Sequence, residues 1–329
     1  MSDPRLRSAA ILLILAAGSI AGCATVGDRT SPPLVPTRYQ TRTGPFVVFT
    51  NDPLPADSAV IKQLHALERE FSETLDVTLG AAEPPIEIYL LTDRKTFEHF
   101  LTFYYPELPQ RRAFFLGQGE RRVIYTHVSD KLEIDVRHEA THALASIAVG
   151  DLPLWLDEGL AEYFECPGAD GGNPDDLRKL RAALAESWTP DLARLESVAT
   201  VKEMTPLDYH EAWAWVHLAL DGDAERTRFR AWLASRAAAP DDARPFASIF
   251  GEVSPADLSD RLRSHVANLS EQSPSRTPAD IAAVRPARAP IVRLQEASAD
   301  VLPRTARPKP LKGFFARMRD FVLGDDSTN

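Results

Sequence analysis

The sequence predicts an α+β fold, in which a small N-terminal mixed or antiparallel sheet with helices precedes a mostly helical half. Segments with the alternation and the Val, Ile and Phe content of strands all lie before residue 130. From there to about residue 270, apolar residues recur at helical spacing, broken by a loop rich in Gly and Asp at 166–176. We assign this folded domain to residues 38–270 of the 329-residue chain.

The sheet half is predicted to contain strands, a hairpin and two helices. The strands are GPFVVFTND and PIEIYLLTD, and the hairpin has its turn at Gly117-Gln118-Gly119-Glu120. The first helix has an apolar face, and Asp93 opens the second. The two strands cover residues 44–52 and 85–93, the two helices cover 58–78 and 94–104, and the hairpin covers 111–129.

The helical half begins with two helices joined by a short break. Residues 131–149 are predicted as one helix, capped by Asp130 with Glu133 three residues later, as in a capping box. The break Gly150-Asp151-Leu152-Pro153 lets 153–164 form a second helix folded back on the first. A later helix covers residues 208–220.

The N-terminus has the composition of a secretory signal, with two arginines before an apolar run that is short for a membrane span. Ile20-Ala21-Gly22-Cys23 resembles the bacterial lipoprotein signal, which implies a signal peptide at 1–22 and lipid on Cys23. Residues 23–37 are then a flexible tether. The expected location is the bacterial cell envelope, on the periplasm-facing outer membrane if the cell is Gram-negative. Cys166 is left without an intrachain disulfide partner, and a small semi-buried residue is favoured over a functional thiol.

The C-terminal part differs in composition from the domain. Residues 271–308 are rich in Pro and Arg and are predicted to be a disordered linker. Residues 309–324 place apolar and basic side chains at the spacing of a short amphipathic helix, and 325–329 form a tail. The helix suits an anionic surface or a partner, and the alternative is that it packs on its own domain or stays loose. The net charge of -10 argues against a nucleic-acid partner.

The sequence RHEATH carries the main chemical signal. His138 and His142 are four residues apart on the predicted helix, so both imidazoles can reach one metal ion. Glu139 points to the side and can act on a water there as general base. The alternative is that the two histidines are hydrogen-bonded polar residues on a core helix.

A third ligand is expected from the returning helix, LWLDEGLAEYFE. Glu158 completes a site of two histidines and one glutamate, the donors of many catalytic zinc sites. Glu162 lies one turn further on the same face and can accept the remaining N–H of a ligand histidine. The segment is otherwise largely apolar, which argues against a solvated acidic face.

HEATH followed by LPLWLDEGLAEYFE resembles the gluzincin metallopeptidases, most closely the short peptidase-MA-like families. The resemblance implies one Zn²⁺ bound by His138, His142 and Glu158, with Glu139 as catalytic acid and base. The helix at 208–220 is similar to the gluzincin helix that carries an oxyanion-binding tyrosine, which implies this role for Tyr209. His210 is the second candidate for that role, and an ordinary buried aromatic is the alternative for Tyr209.

Two features narrow the expected activity. Ala145 and Ala148 stand where the metzincin pattern needs Gly and His, so that family is excluded. An acidic exopeptidase signature is not found before the motif, which favours an endopeptidase of peptides or proteins. The strand over 122–127 is expected to offer an edge to an extended substrate, with His127 in a structural role. The alternative function is a non-catalytic, peptidase-like lipoprotein that binds an envelope protein or peptidoglycan.

Overall fold

The α+β prediction is confirmed by the structure, a computed structural model, in which a mixed sheet precedes a mainly helical half. The structure describes residues 35–79, 84–106, 108, 110–168, 171–239 and 244–270, and two short strands further on. The strands are β1 (Tyr39–Thr43), β2 (Phe46–Thr50), β3 (Ile86–Leu91), β4 (Ala113–Gln118), β5 (Arg121–His127), β6 (Ile291–Arg293) and β7 (Ala316–Arg317).

The sheet order is β6-β1-β2-β3-β5-β4-β7. β2, β3 and β5 run parallel to one another, and the remaining neighbours are antiparallel. β5 is therefore an interior strand, paired with β3 on one side and β4 on the other. The expectation that 122–127 offers an edge is wrong, because the chain returns from the hairpin turn into the gap beside β3.

The helices of the described residues are α1 (Ala59–Leu75), α2 (Arg94–Tyr104), α3 (Leu132–Ala148), α4 (Leu154–Glu165), α5 (Pro174–Ala185), α6 (Leu192–Ser197), α7 (Pro206–Asp221), α8 (Asp223–Ala238) and α9 (Pro255–Asn268). Short 3₁₀ helices lie at Val201–Glu203 and Phe246–Phe250. Among these described helices, none combines the length and apolarity that crossing a bilayer requires.

The two faces of the sheet bury different cores. One face packs on the large core that includes residues of α1, α3, α4 and α7, and the other face packs on α2. Successive residues of β4 show this alternation, because Phe114 joins the α2 side and Phe115 the helical side. The sheet thus holds α3 against one face and places β4 beside it.

The start of α3 differs from the predicted capping box. Lys131 is the N-cap residue and no side chain of the described residues caps the helix there. The hydroxyl of Ser129 instead accepts a hydrogen bond from the Lys131 backbone N–H at 3.2 Å. The turn before α3 therefore uses a serine rather than Asp130.

Several expectations fall outside the described residues. These are the signal peptide at 1–22, Cys23, the tether up to residue 34, the tail at 325–329 and most of 271–324. Within the predicted linker, Ile291–Arg293 pairs with β1, and within the predicted amphipathic helix, Ala316–Arg317 pairs with β4. At these positions the chain is extended rather than irregular or helical. The outer sides of β1 and β4 offer backbone donors and acceptors, and an extended segment can pair with them.

Candidate metal centre

The candidate ligands lie on two adjoining helices. α3 carries His138, Glu139 and His142, and α4 carries Glu158. Gly150, between the helices, has φ of 83°, a left-handed conformation that side-chain-bearing residues rarely adopt. Its N–H donates to the carbonyl of Ala145 at 3.2 Å, which closes the end of α3 and turns the chain back.

The helix after the turn is fixed by a close approach to α7. A Cβ added to Gly159 would lie 2.6 Å from the carbonyl oxygen of Ala212. The neighbouring residue, Glu158, is thereby held between α7 and α3. This contact gives the glycine of the DEGLAEYFE segment a packing role.

The three ligand atoms converge in the buried space between α3 and α4. Nε2 of His138 and Nε2 of His142 lie 3.6 and 3.7 Å from Oε2 of Glu158. Four ligands about 2.1 Å from a tetrahedral ion are separated by roughly 3.4 Å, so these spacings are close to ligation geometry. His138, His142 and Glu158 are among the described groups that can hold a metal ion.

Glu158 gives an independent indication of a cation. Its side chain is fully buried, and neither carboxylate oxygen has a hydrogen-bond partner among the described residues. A buried carboxylate without hydrogen bonds is costly unless a positive charge compensates it. The two imidazole nitrogens and this oxygen therefore fit a divalent cation by donor chemistry as well as by spacing.

Two carboxylates behind the histidines orient the rings. Nδ1 of His138 lies 3.2 Å from Oε2 of Glu165, and Nδ1 of His142 lies 2.6 Å from Oδ2 of Asp157. Asn173 donates to the other oxygen of Glu165 at 3.0 Å. A carboxylate that accepts from Nδ1–H leaves the Nε2 lone pair for a metal.

From the sequence, this supporting role is expected of Glu162. The structure buries Glu162 in the same cluster, within 4.8 Å of ligand atoms of His138 and Glu165. The partners at the two Nδ1 atoms, however, are Asp157 and Glu165. The sequence feature that indicates Glu165 as a supporting carboxylate is its position two helical turns after Glu158, on the same face of α4.

The charges of α4 also act on His142. Burial by itself lowers the pKa of His142, but the negative charges of Asp157 and Glu158 outweigh burial and raise the pKa above its ordinary value. The histidine ligands thus lie in a strongly negative environment. Such an environment favours any cation, whether a proton or a metal ion.

Glu139 lies buried beside the ligand cluster. Its Oε2 has no hydrogen-bond partner among the described residues, and 5% of the residue is exposed. Burial raises the pKa of the Glu139 carboxyl, and Glu158 adds to the rise, while His138, His142 and Arg111 oppose it. The carboxylate is therefore close to the candidate ligands, and among the described residues no hydrogen bond occupies its Oε2.

The oxyanion candidates lie on α7. Tyr209 is buried on this helix, which packs against α4. Nδ1 of the second candidate, His210, lies 2.8 Å from Oδ1 of Asp176 at the start of α5. That contact links His210 to the start of α5 and gives it a structural role between α5 and α7.

A buried ion pair holds the segment that contains the ligands. Nη2 of Arg137 donates to Oε2 of Glu70 on α1 at 2.7 Å, and its Nε donates to the carbonyl of Phe164 on α4 at 2.8 Å. Arg137 is fully buried. One guanidinium therefore joins α1, α3 and α4 next to His138.

His127 and Cys166, which the sequence also singles out, have surroundings that fit structural roles. Nδ1 of His127 lies 3.1 Å from the carbonyl of Arg112, and its ring stacks on Phe97, as expected of a structural histidine. Cys166 is half-buried, and burial raises the pKa of its thiol to about 12. A thiol with so high a pKa is a weak nucleophile at neutral pH.

The chain was also compared with known proteins. The comparison with models of protein families and the search of curated proteins both return no match to this chain.

Proposed function

We propose that this chain is a zinc-dependent endopeptidase of the bacterial cell envelope, attached by lipid on Cys23. The observation that carries the proposal is the buried convergence of His138, His142 and Glu158, with Glu139 beside them. Two imidazoles and one carboxylate are a donor set that zinc takes in hydrolytic sites. The resemblance of the motif to gluzincins supports the same reaction class, and the lipoprotein-like N-terminus supports the location.

Zinc held by these three residues would polarise a peptide carbonyl and lower the pKa of a water in its open position. Glu139 is the residue of this chain proposed to move the proton. Its Oε2 takes a proton from the attacking water and passes it to the nitrogen of the leaving amine. Among the described residues, no hydrogen bond competes at this oxygen, which supports that role.

The supporting residues have separate tasks in this proposal. Asp157 and Glu165 keep the hydrogen on Nδ1 of each histidine, so that the Nε2 lone pair would be available to a metal ion. Tyr209 is proposed, from the motif resemblance alone, to donate a hydrogen bond to the negative oxygen that develops during the reaction. Tyr209→Phe should then lower kcat while leaving bound zinc unchanged.

The first experiment measures metal content of the purified full chain. Wild type should contain about one zinc per chain, and Glu158→Ala should lose it. Glu133→Gln, on the same helix as the histidines but outside the ligand cluster, is the matched control. Absence of zinc from wild type under metal-replete conditions would refute the metal site.

The second experiment tests turnover with a peptide library. Wild type and Glu133→Gln should cleave peptides, whereas Glu139→Gln should retain zinc and lose cleavage by about 100-fold or more. A zinc-loaded wild type that cleaves nothing would favour the alternative, a peptidase-like binding protein. Full activity in Glu139→Gln would refute the assignment of the base.

A further inference from the structure

The outer side of β4 is occupied by the chain's own C-terminal segment. β4 pairs with β5 over its whole length, whereas its other side pairs with Ala316–Arg317. The register opposes Phe115 to Arg317 and Leu116 to Ala316, in antiparallel sense. The described contact is therefore short, with two residue pairs at the middle of β4.

This part of β4 lies next to the candidate metal centre. The ring of Phe115 stacks on the ring of His142, with centroids 6.4 Å apart and planes 20° apart. The residue before β4, Arg112, connects the strand to α3, because it donates to both carboxylate oxygens of Asp135 at 2.7 to 3.1 Å. The backbone position taken by the C-terminal segment is consequently beside the residues proposed to act on a substrate.

An extended peptide can add to a sheet edge through its main-chain hydrogen bonds. Apart from the two-residue strand β7, β4 is the outermost strand on its side of the sheet. The next strand, β5, is paired with β3 and β4 and offers no edge. A peptide substrate presented to the metal centre along β4 would therefore need the same backbone groups that pair with Ala316–Arg317.

The chain between β6 and β7 is long enough to reach across the sheet. β6 pairs at the opposite edge of the sheet, on β1, and 22 residues separate β6 from β7. Six strand spacings correspond to roughly 29 Å, and 22 extended residues reach roughly 70 Å. This length of chain is therefore compatible with pairing at both edges of the sheet, and covalent connection gives Ala316–Arg317 a high effective concentration relative to a separate peptide.

We propose that the segment around Ala316–Arg317 is an internal competitive inhibitor that occupies the substrate-binding edge of β4. This inference rests on the proposed peptidase function. The two-residue pairing is short enough for a longer peptide substrate to displace it. The inhibitor is recognised through its extended backbone, and the expected substrate class is a peptide that binds in the same way.

The first test uses two full-length variants with the same type of change. Ala316→Pro/Arg317→Pro removes backbone N–H donors from the segment on β4, and Val292→Pro/Arg293→Pro does so on β1. With a library-derived peptide, the first variant should show a KM lower by roughly three- to tenfold, the factor expected from one or two net hydrogen bonds. Its kcat should be unchanged, and the second variant should match wild type.

The second test does not depend on turnover. A fluorescently labelled synthetic peptide of residues 309–324 should bind Ala316→Pro/Arg317→Pro more tightly than wild type or Val292→Pro/Arg293→Pro, as measured by anisotropy. Equal binding to all three proteins would overturn the inference, as would an unchanged KM in an active enzyme. Tighter binding to the first variant without cleavage by any of the proteins would uphold occupancy of β4 and refute the proposed function instead.

Discussion

Gly159→Ala should destabilise the protein by forcing α4 away from α7. The added Cβ would lie 2.6 Å from the carbonyl oxygen of Ala212, 2.8 Å from its carbonyl carbon and 3.0 Å from Cγ2 of Val216. Ordinary contacts of a Cβ begin at 3.4 Å, so the shortest contact is 0.8 Å too close. Two of the three opposing atoms are backbone, which cannot rotate away.

The size of the effect is a balance of two contributions. Overpacking of a core costs about 1 to 3 kcal/mol, and the backbone contacts at Ala212 place this substitution at the upper end. Replacing glycine by alanine inside a helix increases the free energy of unfolding by about 1 kcal/mol, because alanine has the higher helix propensity. The expected net loss in the free energy of unfolding is about 2 kcal/mol, or a fall in Tm of roughly 4 to 8 °C.

Urea denaturation followed by circular dichroism measures this loss, with Gly222→Ala as the control. The Cβ added at Gly222 meets the carboxylate end of Glu225, a flexible side chain that can move. Gly222→Ala should therefore change stability by less than about 1 kcal/mol. A Gly159→Ala protein as stable as wild type would refute the close packing of α4 on α7.

Three further predictions follow from other buried polar contacts. Asp157→Asn and Glu165→Gln should each weaken zinc binding by about 10- to 100-fold in competition with a chelating dye, because each replaces the carboxylate at a histidine Nδ1 by a neutral and weaker amide acceptor. Glu70→Ala should lower the free energy of unfolding, measured by urea denaturation, by about 3 to 5 kcal/mol, because it leaves the buried guanidinium of Arg137 without its carboxylate partner. The pKa of His265 is lowered to about 4 by burial and by the neighbouring His217. As the pH falls from about 6.5 to about 4, the unfolded chain binds a proton that folded His265 does not, so stability should fall by up to about 3 kcal/mol.

Each of these predictions has an exposed counterpart as control. Glu186→Gln should leave zinc affinity unchanged, and Glu73→Ala, at an exposed position of α1, should cost less than about 1 kcal/mol. His265→Gln should flatten the loss of stability between pH 6.5 and 4, whereas His99→Gln, which is exposed, should retain it. Unchanged zinc affinity in Asp157→Asn and Glu165→Gln, or an equally steep pH dependence in His265→Gln, would contradict the assigned contacts.

Local sequence patterns predicted several elements, including the two helices that contain the candidate site. The second helix was expected over 94–104 and is observed there, because Asp93 accepts the Thr96 N–H and aromatic residues recur on one face. The pair of helices around Gly150 was predicted for the same kind of reason, since a glycine and a proline break the helical pattern. These signals lie within a few residues of one another, so a single sequence contains them.

Contacts between distant segments were not predictable in this way. β1, with the short sequence YQTRT, was not predicted as a strand, and it pairs with β2 and with Ile291–Arg293. The interior position of β5 depends on its parallel pairing with β3, which the local hairpin pattern does not specify. Asp157 was missed because it faces His142 only once α4 has folded back on α3.

The composition of α4 has a consequence for how the protein folds. Four carboxyl side chains of this one helix are buried: Asp157, Glu158, Glu162 and Glu165. Mutual repulsion among these groups opposes docking of α4 on α3, and a divalent cation held by His138, His142 and Glu158 would offset it. In the proposed function, metal binding is therefore also a folding step, and a chelator would act on this protein as a denaturant as well as an inhibitor.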